Sequence, residues 1–138
     1  MEKVVKRYEM ALQTLVTLRM VLDKLQGDIP AEYSLELRDS AIQRFKYSID
    51  TFWKFLKLYM QDYLKMSVES VAPRAIIKDA LTADLLSRDE FEKLMHAITN
   101  RNETSHAYNE SIAQSVLEEL PNLYDLMHNI IIRINVKS

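Results

Sequence analysis

Residues 34–65 read SLELRDSAIQRFKYSIDTFWKFLKLYMQDYLK, a stretch with neither glycine nor proline. Its apolar residues Ile42, Phe45, Ile49, Phe52, Leu56, Tyr59 and Tyr63 step by three and four. That spacing keeps side chains on one face of an α-helix, so the segment predicts one long helix from about Ser34 to Lys65. Trp53, Met60 and Leu64 widen the stripe, while Tyr47, Phe55 and Leu58 lie off it. A helix apolar on more than one side is either central in its bundle or shared with another chain, and the two roles are compatible.

The same stepping extends to both sides. Val4, Tyr8, Ala11, Leu15, Leu18, Leu22 and Leu25 define a first helix from about Glu2 to Leu25. Gly27-Asp28-Ile29-Pro30 ends it, with glycine as cap and proline beyond. Pro73 is suited to the first turn of a third helix carrying Ile76, Ile77, Ala80 and Leu81. Ser87 and Glu90 have the three-residue spacing of a capping box, and Phe91, Leu94, Met95 and Ile98 then form the inward face of a fourth helix. A last helix starts between Thr104 and Ser111, with Ile112, Val116, Leu120, Leu123, Met127, Ile130 and Ile134 as its seam. Pro121 either kinks or restarts it. The expected fold is all-α, an up-and-down bundle of four to five helices forming one domain over residues 1–138.

Composition agrees. The chain has one glycine, where average usage would give about ten, and sheet folds need glycines at their turns. With a single glycine, no phosphate-cradling loop is possible, so nucleotide-binding fingerprints of the P-loop and GxGxxG kinds are excluded. With no cysteine, thiol nucleophiles, disulfides and cysteine zinc sites are excluded as well. The longest uncharged run, Met10 to Leu18, is far short of a membrane span of ~18 residues. No membrane association is expected, and the absence of cysteine and of a signal-peptide pattern is compatible with the cytoplasm. Net charge is −2, so any attraction for nucleic acid must be local rather than a broad basic face.

Extending the fourth helix by its own period gives Phe91, Leu94, Ile98 and then Arg101. An arginine on an inward stripe must find a partner, because its guanidinium does not lose its charge. Asn102 adds an amide beside it, and His106 follows five residues after Arg101. If the last helix begins at Thr104 or Ser105, His106 falls on the face of Asn109, Ala113 and Val116, and both side chains point into one cleft at the junction. Such a pair suits phosphodiesters. Histidine exchanges protons near neutral pH, and arginine forks onto phosphate oxygens. No metal site is expected. His96 and His128 form no His-x-x-x-His pair, and same-face coincidences such as Glu92/His96 and Asp125/His128 are ordinary among 20 acidic residues. As a bare pattern, an arginine capping the helix and a histidine in the loop is the commoner structural outcome.

The segment Asn100-Arg101-Asn102-Glu103-Thr104-Ser105-His106-Ala107-Tyr108-Asn109-Glu110 resembles the signature of the HEPN family, the higher-eukaryote and prokaryote nucleotide-binding domain. It looks most like the branch of nucleotidyltransferase substrate-binding proteins. Arg101, Asn102 and His106 match that family's arginine, polar residue and histidine, and Tyr108 fills the tyrosine position of an extended form. Ala72-Pro73-Arg74 with Ile76 to Ala80 is also similar, and the resemblance spans about residues 1–135.

The resemblance implies a homodimer that brings two motifs to one cleft. It implies a metal-independent ribonuclease acting as the toxin of a toxin–antitoxin pair, with RNA as substrate and no cofactor. It implies a partner, a minimal nucleotidyltransferase antitoxin that attaches AMP to the toxin. On that reading His106 transfers the proton, Arg101 stabilises phosphate, Asn102 orients by hydrogen bonding and Tyr108 is the modification site. The alternative is a non-catalytic nucleotide- or substrate-binding subunit of a two-component nucleotidyltransferase. The chain itself lacks the Gly-Ser and paired aspartates of a transferase.

Overall fold

The computed structural model describes the backbone of residues 2–106 and 109–134, with all of their side chains except those of Ser105 and His106. Five α-helices follow in order: α1 Glu2–Gln26, α2 Ala31–Asp62, α3 Pro73–Thr82, α4 Arg88–His106 and α5 Glu110–Ile134. No strand occurs among the described residues.

The 3-4 seams form the core. Leu15, Leu18, Phe45, Phe52, Leu56, Leu94, Leu120 and Ile130 are all buried. α2 packs against each of the other four helices, the central position its wide apolar stripe allowed. Phe55 lies off the main stripe, yet it is fully buried, with Tyr8 of α1 edge-on at 5.6 Å and Tyr59 tilted against it at 6.1 Å. α2 therefore uses Phe55 inside the protomer, and of the two off-seam aromatics only Tyr47 is exposed.

The helix ends show which local signals prevailed. α2 begins three residues before Ser34, at Ala31, because the Pro30 carbonyl already accepts the Tyr33 N–H at 2.9 Å. Ser34 Oγ donates back to Ala31 O instead of capping. At the other end the helix stops at Asp62, and Lys65 takes φ 56°, a left-handed turn that ends helices. Pro73 opens α3. The capping box of α4 forms in both directions: Ser87 N donates to Glu90 Oε1 at 2.8 Å, and Glu90 N donates to Ser87 Oγ at 3.1 Å. α5 starts at Glu110, where Asn109 Oδ1 accepts the Ile112 N–H at 3.1 Å, an N-cap bond. The helix does not restart at Pro121, which lies inside it.

Candidate functional site

The last helix begins within the expected window of Thr104 to Ser111, but the condition that would place His106 on it is not met. α4 runs to His106, and α5 starts at Glu110 rather than at Thr104 or Ser105. His106 is thus the last residue of α4, one turn beyond Asn102, and does not belong to the α5 face of Ala113 and Val116. Its side chain lies outside the described residues, as does the whole of Tyr108.

Arg101 finds its partner on α2. Its Nε donates to Asp50 Oδ1 at 3.2 Å and its Nη2 to Asp50 Oδ2 at 3.0 Å, a two-point fork. The hydrogen bonds to Asp50 hold the guanidinium pKa above its ordinary value, partial burial opposes this, and the Coulomb attraction of Asp50 adds to it. Nothing in the sequence pattern pointed to Asp50. The two residues line a pocket of about 270 Å³ with Asn102, Trp53, Lys54 and Pro73 among its walls. Arg101 and Asn102 thus share one pocket, with Arg101 half-buried and Asn102 exposed.

Three further contacts brace this region, and two of them start from α2. Lys46 Nζ donates to Thr104 O at 3.1 Å near the end of α4. Arg38, only 4% exposed, donates through Nη1 to Glu110 Oε2 at 2.6 Å at the start of α5. Arg38, Ile42, Lys46 and Asp50 are four residues apart, so they form one ridge along α2. That ridge holds both flanks of the segment carrying His106 and Tyr108. The third contact joins α4 to α5 directly: buried Asn100 donates to Glu119 Oε2 at 2.6 Å, and the same oxygen lies 3.1 Å from His96 Nε2. His96 is therefore placed beside Glu119 of α5 in this structure. Beside the ridge, Asp39, Gln43, Lys46, Thr104 and Asn109 line a second pocket of about 190 Å³.

The residues upstream also have a defined place. Pro73 walls the Arg101 pocket, while Arg74 donates from α3 to Met95 O at 3.3 Å and Thr99 Oγ1 at 2.8 Å on α4. Chemically the arrangement offers a guanidinium braced by a carboxylate, an amide next to it, and a helix end carrying a histidine.

Residues 4–135 match the family model described as nucleotidyltransferase substrate binding protein like. The chain belongs to this family. A protein of Thermus thermophilus, known from its crystal structure, is 30% identical and superposes with a TM-score of 0.79, covering 92% of this chain and all of its own. A second structure has a TM-score of 0.74 over 95% of each chain at 14% identity, a likeness of fold. It is described as the tri-AMPylated HEPN toxin of Shewanella oneidensis in complex with its MNT antitoxin. A search of curated proteins gives no match. The family is thus the one that the Arg101–Glu110 segment resembles. No helix among the described residues is long and apolar enough to cross a membrane.

Proposed function

We propose that this chain is a HEPN-type, metal-independent ribonuclease toxin, neutralised by a minimal nucleotidyltransferase antitoxin that attaches AMP to it. The observation that carries the reading is the Arg101 pocket. Asp50 holds the guanidinium as a fork beside Asn102, and His106 ends the same helix one turn on. Family membership and the fold shared with an AMPylated HEPN toxin support it.

In the reaction, the ribose 2′-oxygen attacks the adjacent phosphorus as its proton is taken up. The bond to the 5′-oxygen breaks, and that oxygen leaves with a proton, giving a 2′,3′-cyclic phosphate. His106 carries out the proton transfer. Arg101 stabilises the charge gathering on the phosphoryl oxygens, and Asn102 orients the phosphate. The active form is a homodimer of single-domain protomers in the cytoplasm, with two such motifs at a shared cleft.

Cleavage of RNA by purified protein in EDTA is the test. Wild type should cut, and His106→Ala should abolish both cutting and growth inhibition while its helical circular dichroism is unchanged. Equal cutting by the variant would overturn the assignment. The family description favours one other reading, a non-catalytic substrate-binding subunit of a nucleotidyltransferase. That protein would bind its partner yet leave RNA intact.

A further inference from the structure

A third cavity lies between the start of α1 and the end of α2, with a volume of about 560 Å³. Five cations line it, Lys3, Lys6 and Arg7 from α1 with Lys54 and Lys57 from α2, and no acidic side chain does. None of the five pairs with a carboxylate among the described residues. Helix stability does not explain this cluster. Lys54 and Lys57 lie more than one turn before the end of α2 at Asp62, beyond the reach of the helix dipole. Lys3 lies in the first turn of α1, where the dipole disfavours positive charge.

The groove leads to the candidate site. Trp53 and Lys54 line both this cavity and the Arg101–Asn102 pocket, so the two cavities share a wall. Lys54 Nζ lies 5.7 Å from the centre of the Trp53 ring, placing charge and an aromatic surface together at the junction. The Trp53 indole Nε1–H is buried without an acceptor, the only such side-chain atom among the described residues. An unmade buried hydrogen bond is unfavourable, so the ring gains by turning towards an incoming acceptor.

We propose that this groove is the track along which a single strand of RNA reaches Arg101. The α1 and α2 cations follow the phosphates, and Trp53 stacks on a base at the entrance to the pocket. The proposal rests on the ribonuclease reading and deepens it by naming the path of the substrate. A positively charged groove with an aromatic platform is the usual physical solution for holding a single strand without reading its sequence. An acidic face of a protein partner offers the same charge. It would not use a groove that opens into the phosphate pocket past an aromatic ring.

Trp53 is the only tryptophan of the chain, so its fluorescence reports the junction. The probe is a short 2′-O-methyl oligoadenylate, which lacks the attacking hydroxyl and is bound without being cut. Wild type should show saturable quenching, with log K falling against log salt at a slope of about −3.5 for five phosphate contacts. The exposed pair Lys3→Gln with Lys6→Gln, distant in sequence from Trp53, should reduce the slope by about 1.4 and weaken binding at least tenfold. On a cleavable RNA the same variant should raise KM and leave kcat unchanged.

Unchanged affinity in that variant, or binding seen by anisotropy without quenching, overturns the track while leaving cleavage in EDTA intact. Lysine-dependent binding with no cleavage sustains the track and sinks the nuclease. Loss of binding to the purified nucleotidyltransferase, with RNA affinity unchanged, overturns the track in favour of a protein-docking face.

Discussion

Arg101 of α4 and Asp50 of α2 face each other through two parallel hydrogen bonds of 3.2 and 3.0 Å. A fork of this kind fixes the plane of the guanidinium, which one contact does not. It also partly neutralises a charge that the proposed reaction needs. Both side chains are about a third exposed, so solvent screens the pair and its contribution to stability is about 1 kcal/mol at most.

The first prediction follows. Asp50→Ala should lower Tm by only about 3 °C, yet reduce cleavage in EDTA at least tenfold, because the guanidinium loses its orientation. Asp50→Asn retains an acceptor and should recover part of the rate. Undiminished kcat in Asp50→Ala would show that the brace serves the fold alone.

Arg38 should behave in the opposite way. It is buried at 4% exposure while its partner Glu110 is largely exposed, so removing it leaves no stranded charge. The loss is packing and the tie to the start of α5. Arg38→Met should cost about 2 kcal/mol, a fall in Tm of roughly 6 °C, measurable by thermal denaturation. A change below about 1 °C would mean that the tie does not hold α5.

Most of the bundle was legible because each helix carries its own seam and α4 its own capping box. The start of the last helix stayed open between Thr104 and Ser111 for a local reason. At the start of α5, Thr104, Ser105, Asn109 and Ser111 are all capable caps, and only the structure shows Asn109 taking the role. Arg38 was readable in principle, since the α2 seam extends backwards from Phe45 and Ile42 to it in steps of three and four. The inward stripe revealed Arg101, but not its partner. Asp50 lies 51 positions away, and nothing local in its sequence marks it. The burial of Phe55 was not legible because α1 covers a second face of α2, which periodicity along one helix does not reveal.

A pH dependence is expected at the far end of α4. Hydrogen bonding to Arg133 is the largest cause holding the Glu90 carboxyl below its ordinary pKa. Partial burial opposes it, and the Ser87 backbone N–H and the Arg133 charge assist. A carboxyl with a lowered folded-state pKa stabilises fully above its unfolded value, and the gain is lost as pH falls through the folded one. Glu90→Gln should therefore be about 1 kcal/mol less stable than wild type at pH 7, with the gap closing below about pH 4. Urea titrations at pH 7 and pH 3 measure it. A gap of equal size at both values would assign the loss to packing rather than charge.

The last prediction concerns Tyr108. The segment that holds it is anchored on both sides by one ridge of α2, through Lys46 to Thr104 and through Arg38 to Glu110. The same ridge ends at Asp50, the brace of Arg101. The described flanks of the segment, Thr104 and Glu110, thus share one ridge with the brace of the proposed phosphate site. On the proposed function, the phenolic oxygen attacks the α-phosphorus of ATP in the active site of the partner, pyrophosphate leaves, and the phenolic proton is lost. The product carries one negative phosphodiester per AMP, which pairs with the guanidinium of Arg101 and takes the place of an RNA phosphate. Intact-mass spectrometry after incubation with the partner, ATP and Mg²⁺ should show added AMP. Tyr108→Phe should show none, and should stay toxic in cells that express the partner. Full labelling of Tyr108→Phe, or labelled protein that cuts RNA at the wild-type rate, would reject this mechanism.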